Sequence, residues 1–387
     1  MEIILQIYDT LLLKYTLPGM LLITALVVLF FIQLWYYVRC YGRIPSYRNS
    51  GKSGEGLFLP VSVIVVLQDN FQYLEEALPQ LLNQDYPDFE VVVVDLASEE
   101  EFSDALLKLR ERYPHLATTR IEHDLRFPVS YKMVLNVGIK AARFERVVIT
   151  SANACPVSNR WLSLMARGFT CGDVVLGYAG MEQKPGIVNK MIRCSRLMMS
   201  IRYLASAIRG VPYRGILENI GYTKTLYFNN KGFNYLNMNV GEDDLFIQAI
   251  ATRHNTAVVM NPKATMRQWQ WSGIGWWRSM RRFHSYTYRY YPRRVKNSIE
   301  WELGSRFLFF AATATAIGCL PAEIKFGAAG LLLFRLFIVE FEIRRIGKRL
   351  GENDLGWIWV WYDLIAPVSE FFLWLRRNIN PNSGLWR

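Results

Sequence analysis

Two largely apolar runs, 61–67 and 89–94, frame a stretch in which Leu74, Ala77, Leu78, Leu81 and Leu82 recur at helical spacing. Runs of this length rich in β-branched residues read as strands covered on both faces, and the periodic stretch between them reads as a helix. Pro79 falls early in that helix, where a missing N–H costs least. The three elements make a β-α-β unit, with parallel strands and a right-handed crossover. Gln68, Asp69, Asn70 and Asp95, at the carboxyl ends of the strands, then border the crevice where open α/β sheets bind ligands. The loop after the first strand contains no glycine, which excludes a dinucleotide-type phosphate cradle.

The alternation of periods continues. Phe102, Leu106, Leu109 and Tyr113 mark a helix over 99–113, followed by a strand at 117–121, a helix at 130–143 and a strand at 146–150. Beyond it the pattern predicts a helix at 161–169, a strand at 174–178 and a methionine-rich packing helix at 190–208. This is an α/β layer structure, although the pattern does not fix the order of its strands.

At both ends the pattern becomes apolar without a strand period. Residues 17–37 carry no charge and are long enough to cross a bilayer as a helix. Trp35, Tyr36 and Tyr37 close that stretch and Arg39, Arg43, Arg48 and Lys52 follow, so the positive-inside rule places this end in the cytoplasm. A secretory signal is the competing reading, but the stretch has neither a basic start nor a small-residue cleavage site. Residues 307–320 and 326–341 predict a membrane hairpin, in which Arg335 must snorkel or face protein, and Arg344, Arg345, Lys348 and Arg349 mark the cytoplasmic loop after it. Residues 357–375 carry Asp363, Pro367 and Glu370, and a simple span there would leave Arg376, Arg377 and Arg387 outside, so a re-entrant or interfacial segment is expected. The chain divides into an anchor (1–41), a linker (42–56), an α/β domain (57–300) and membrane-associated segments (301–387), with the domain cytosolic and the anchor in the inner, cytoplasmic membrane as a multi-pass protein.

The chain has 387 residues, of which 51% are hydrophobic and 14% aromatic, with a net charge of +12. A basic balance suits nucleic acid, an anionic membrane or phosphorylated substrates. The apolar ends favour the last two, and no nucleic-acid partner is expected. The run 267–294 mixes aromatic and basic residues, which could stack on RNA. Its position just before the hairpin instead predicts an interfacial helix with Trp276 and Trp277 among lipid headgroups. Cys40, Cys155, Cys171, Cys194 and Cys319 have no metal or disulfide spacing. His115, His123, His254 and His284 are scattered and read as surface or structural.

Four blocks could carry chemistry. Asp95 can accept hydrogen bonds from a base or ribose, or cap the next turn. Lys132 opens the stretch KMVLNVGIKAA, and TSANACP (150–156) follows a strand directly. GEDDLF (241–246) places Glu242, Asp243 and Asp244 at the head of a helical pattern running to Arg253; a helix N-terminus favours carboxylates, but three in a row exceed a cap.

In order and spacing these blocks, with VSVIVVLQDN, LLNQDYPDFEVVVVD and the apolar ends, resemble the family 2 glycosyltransferases of GT-A fold, specifically membrane-anchored bacterial members. The resemblance implies a Rossmann-like nucleotide-sugar transferase domain with an N-terminal transmembrane helix and a C-terminal membrane hairpin. It implies that Asp95 binds the nucleotide, that Lys132 lies on the donor side, and that Asp243 is the general base that deprotonates the acceptor hydroxyl in an inverting transfer. Glu218 and Asn219, in PYRGILENIGY, would lie on the acceptor side with Glu242 and Asp244.

The departures from the family pattern are specific. Where the family reads T-D-A-D-x-x-P and holds the diphosphate through Mg²⁺ or Mn²⁺, this chain has Ser151 and Asn153. Two anionic ligands are missing, so no firm metal cofactor follows. Leu96 replaces the second aspartate of the nucleotide block, and the family's Q-x-x-R-W is reduced to Ser279-Met280-Arg281-Arg282-Phe283. Three readings follow: a transferase that neutralises the diphosphate with Lys132, Arg281 and Arg282; a degenerate pseudo-transferase that partners an active enzyme of glycan synthesis; or a membrane scaffold. The first predicts a nucleotide-sugar donor and a membrane-proximal or lipid-linked acceptor in cell-surface glycan synthesis. No set of many spans suggests a polymer-extruding synthase.

Overall fold

The computed structural model describes residues 17–48, 58–122, 129–234, 236, 240–269 and 273–379. The linker beyond Arg48, His123, residues 270–272 of the aromatic run and Arg387 lie outside the described residues. The apolar runs form the predicted strands, β1 (Val61–Leu67) and β2 (Phe89–Leu96), which pair in parallel from Val61 opposite Phe89 to Leu67 opposite Asp95. Their largely apolar sequence follows from cover on both faces, and the two polar residues near their starts, Ser62 and Glu90, bond to each other. Val61, Val63, Val65 and Leu67 pack with Tyr73, Leu78, Leu81 and Trp161, whereas Ile64 and Val66 pack with Val134, Leu135 and Ile139 on the other side. The chain between them widens into π-helical turns over Tyr73–Ala77 before the helix Leu78–Leu82, in whose first turn Pro79 has no bond to lose.

The remaining strands are β3 (Leu116–Ile121), β4 (Arg146–Ile149), β5 (Ala154–Pro156), β6 (Val174–Leu176), β7 (Ala179–Met181), β8 (Ile220–Thr223), β9 (Thr256–Val258) and β10 (Met266–Gln268). Seven of them form one sheet in the order β3-β2-β1-β4-β8-β6-β9, with β8 antiparallel to both neighbours, and β5-β10-β7 form a small second sheet. The chain builds outward from β1 to β3 and then returns to place β4 on the other side of β1. The order therefore reverses between β1 and β4, which is where such sheets hold ligands. The helix Tyr131–Ala141 packs across β1 and β2, and Gly138 allows its close approach: a Cβ there would stand 2.8 Å from the methyls of Ile64 and Val94.

The predicted hairpin is present as two longer helices, Arg293–Cys319 and Ala322–Leu350. The first runs through residue 300 without a break. The last segment is one continuous helix, Gly356–Ile379, with Pro367 inside it, rather than a re-entrant loop. Together with the leading helix, Leu17–Leu34, these form a bundle that reverses the usual pattern. Phe31, Phe326, Phe337, Trp357 and Phe372 are exposed, while Arg335, Arg306, Asp363, Glu302 and Gln33 are buried. Arg335 faces protein: it binds Asp363 and donates to Gln33 Oε1 at 3.0 Å. Arg306 lies 3.2 Å from Asp363 and 2.9 Å from Glu302, and Glu302 takes Arg202 of the helix Ile187–Ile208 at 2.7 Å. A line of alternating charges thus joins the bundle to the sheet domain.

Candidate functional site

The loops after β1, β2 and β4 are locked to one another. Asp69 takes a positive φ of 44° and Ala97 one of 45°. Asp69 N donates to Ser98 Oγ at 3.0 Å, and Asp69 Oδ1 accepts from Glu99 N at 2.7 Å. Asn70 spans the crevice, donating to Ala152 O at 3.0 Å. Left-handed backbone at two non-glycine residues survives because these bonds over-determine it.

Asp95 is engaged on this rim. Its carboxylate accepts from Ser98 N at 3.1 Å and Ser103 Oγ at 2.9 Å, with Arg120 at 3.8 Å. These bonds account for its burial and cap the turn that follows β2, the structural role open to a strand-end aspartate. Lys132 is buried at the start of its helix, donates to Leu236 O at 3.0 Å, and its pKa is lowered by burial against the opposing attraction of Glu242.

Ser151 and Asn153 stand where the family carries metal-binding aspartates, and they bond to each other, Ser151 Oγ donating to Asn153 Oδ1 at 2.6 Å. Both are neutral, and no cluster of three or more His, Cys, Asp or Glu with metal-site geometry occurs among the described residues. Hard divalent ions select anionic oxygens. The donor set does not fit a tightly held Mg²⁺ or Mn²⁺.

The acidic block is divided among three tasks. Gly241, at φ 110°, turns the chain so that the three carboxylates diverge. Asp244 is fully committed: it caps the helix Leu245–Ile250 through Leu245 N at 2.6 Å, accepts from Tyr291 Oη at 2.7 Å and binds Thr287 Oγ1. That takes it out of the acceptor-side role. Glu242 is buried, its Oε2 has no partner among the described residues, and burial followed by the neighbouring Asp243 raises its pKa to about 7. Asp243 keeps 14% of its side chain exposed, and Arg214 Nη2 holds its Oδ2 at 3.0 Å. Burial raises its pKa and Arg214 opposes this, leaving it at about 6.

Arg214 and His284 complete this group, and the sequence pattern assigned neither a role. Arg214 Nη2 lies 2.5 Å from His284 Nδ1. Because a guanidinium only donates, Nδ1 accepts and the imidazole is neutral. Burial and then Arg214 push the His284 pKa well below its ordinary value, which agrees. The two residues are 70 positions apart, so no local period could have joined them.

The other candidates lie in supporting positions. Asn219 is fully buried; its amide donates to Tyr178 O at 2.8 Å and Ala264 O at 2.9 Å, and accepts from Trp161 Nε1 at 3.0 Å. It ties three elements together and has no group left for an acceptor hydroxyl. Glu218 is paired with Arg196 at 3.0 Å. Arg281 is directed to the last helix, 2.8 Å from Glu370, donating to Ser369 Oγ at 3.3 Å and lying over Trp277. It is thereby removed from diphosphate neutralisation. The guanidinium of Arg282, on the same helix (Gly273–Ser285), has no hydrogen-bond partner among the described residues.

A mixed seven-stranded sheet whose order reverses between β1 and β4 has the layout of a GT-A-type fold. The family model for glycosyl transferase family 2 matches residues 62–161, from β1 to Trp161. Among solved structures, the chain is similar to the mannosyltransferase PcManGT from Pyrobaculum calidifontis in complex with GDP-Man and Mn²⁺, at 21% identity and a TM-score of 0.54, covering 90% of this chain and 98% of that one. This likeness establishes the fold. It is also similar to S. aureus TarS 1-349 in complex with UDP-GlcNAc at 16% identity and a TM-score of 0.40, covering 80% of this chain and 92% of that one, a distance at which the likeness carries no argument. No curated protein sequence matches the chain.

Proposed function

We propose that this protein transfers a sugar from a nucleotide-sugar donor to an acceptor at the cytosolic face of a membrane, with inversion and with Asp243 as the base. The observation that carries the reading is the state of Asp243. It is the carboxylate of the block that combines solvent access with a fixed orientation, and its pKa of about 6 leaves it ionised at neutral pH yet basic enough to take a proton. Its Oδ1 accepts no hydrogen bond among the described residues. Membrane attachment is supported by two helices long and apolar enough to cross a bilayer, Leu17–Ser46 and Gly356–Leu375, and by the bundle's outward apolar side chains. That placement supports an acceptor at the membrane surface, lipid-linked and destined for a cell-surface glycan.

The experiment is transfer or donor hydrolysis by the detergent-solubilised full chain against a panel of nucleotide sugars, beginning with GDP-mannose and UDP-N-acetylglucosamine, with and without Mn²⁺. Metal-independent turnover that falls about a hundredfold or more in Asp243→Asn supports the reading. A second reading, a degenerate partner of an active transferase, is favoured by the mutual bond of Ser151 and Asn153 and by the occupied Asp95. Absence of donor binding under every condition selects it.

A further inference from the structure

A second cavity, of about 400 Å³, opens where the leading helix meets the sheet domain. Its wall includes Trp35, Tyr36, Arg202, Arg209, Arg294 and Trp301. Three arginines line it and no carboxylate does. The volume falls in the range of small-ligand pockets, roughly 300–1,000 Å³.

The arginines are incompletely satisfied. Arg202 gives Nη2 to Glu302, but its Nε is buried without a partner. Arg209 donates Nη1 to the thiol of Cys40 at 3.2 Å, a weak acceptor, and its Nε is also buried and unpartnered. Arg294 is exposed at the mouth with no hydrogen-bond partner among the described residues. Arg209 and Arg294 have no carboxylate partner among the described residues, and forked guanidinium donors match phosphate oxygens.

The position of the mouth selects the source. Trp35 and Trp301 flank it and are exposed at 51% and 65%. Trp35 ends the uncharged helix Leu17–Leu34, and tryptophan and tyrosine at such a point occupy the headgroup level of a bilayer. Phosphate oxygens at that level belong to lipids.

We propose that this cavity binds the headgroup phosphate of an anionic phospholipid, separately from the donor and acceptor site. The inference rests on the membrane reading above. Thermal unfolding of the full-length protein in detergent tests it, with short-chain phosphatidylglycerol, short-chain phosphatidylcholine or inorganic phosphate titrated in. Phosphatidylglycerol should raise the midpoint at concentrations where phosphatidylcholine does not. Arg209→Gln with Arg294→Gln should weaken that effect by about thirtyfold, from the usual contribution of an interfacial basic residue. Arg294→Gln alone, at an exposed position, serves if the double variant does not fold, and should show about a fivefold loss. Lys108→Gln with Arg110→Gln removes the same charge from an exposed helix face elsewhere and should change nothing. Equal response to the two lipids, or equal loss in the control variant, overturns the proposal. A response to inorganic phosphate as strong as to phosphatidylglycerol overturns the lipid source. Carbonate extraction of the same variants from membranes separates the two ideas: release of the wild type overturns the membrane reading, whereas retention without lipid discrimination overturns this inference alone.

Discussion

Replacing Arg214 with methionine isolates the electrostatics of the proposed base. Burial raises the Asp243 pKa, the guanidinium 3.0 Å away lowers it, and the balance is about 6. An opposite charge at this range is worth about 1–3 pKa units, so its loss should carry Asp243 to roughly 7–9. With a shift of about 2 units, the ionised fraction at pH 7 falls from about nine-tenths to about one-tenth. Turnover at pH 7 should then fall roughly tenfold and recover by about pH 9, because the defect is one of protonation. The assay is kcat/KM from pH 5 to 9.5, with the thermal midpoint measured alongside, because breaking a buried pair destabilises by about 3–5 kcal/mol. Arg214→Lys keeps the charge and should leave the acid limb near its original position. A loss uniform across pH, or an unmoved acid limb, refutes the assignment of Asp243 as the titrating base.

Glu242 gives a prediction about stability. Its folded pKa of about 7 lies above the ordinary carboxylate value, so its stabilising contribution is complete at acid pH and is lost as pH rises through about 7. Glu242→Gln should therefore stabilise the protein by up to about 3 kcal/mol at pH 8 and change little at pH 4, as read by urea unfolding at the two pH values. Ser151→Asp combined with Asn153→Asp should create Mn²⁺-dependent nucleotide binding, measured by calorimetry, since it supplies the missing anionic oxygens. Gly138→Val should prevent accumulation of folded protein, because its side chain collides with the methyls of Ile64 and Val94; wild-type expression and melting would contradict the packing described. If the domain is cytosolic, an impermeant thiol reagent added to intact cells should not label Cys155 or Cys171, and labelling without lysis would reject the placement.

The β1-to-β4 half of the domain was legible because its elements are short and cooperate locally. Fully covered strands leave a largely apolar run, and the crossover helix leaves a clean period. The second half was obscure because its strands are three or four residues long, too short to carry a period of their own. The site was legible by composition and illegible by function. The acidic block stood out, but which carboxylate is capped, buried or presented depends on Thr287, Tyr291 and Arg214, distant in sequence. Asn219 shows the reverse error. A polar residue in a turn looks like a ligand contact, and here it holds the backbone and Trp161 inside the fold. His284 carried no pattern at all, and its environment is set by Arg214.

The charge line through the bundle accounts for something that apolar packing does not supply. Leu26, Phe30, Phe309 and Ala316 cluster in the bundle core, but for a bundle inserted as proposed the surrounding lipid chains would be as apolar as these side chains, so burial alone would give little preference for one register over another. Each step of the line from Arg335 to Asp363, Arg306, Glu302 and Arg202 is a short ionic contact that tolerates no slip of a helical turn, since a displaced partner leaves a charge buried and unpaired. Arg202 lies on the helix that packs under the sheet domain, so the register of the bundle also fixes that domain against it. On the opposite side of the same interface Arg281 reaches Glu370, and His284, one turn further along its helix, touches Arg214. The bundle is thereby held to the sheet domain through Arg202 on Glu302 and through Arg281 on Glu370, the second a single turn of helix from His284, which touches the arginine that orients Asp243, so a carboxylate of the sheet domain keeps a defined position relative to the bundle.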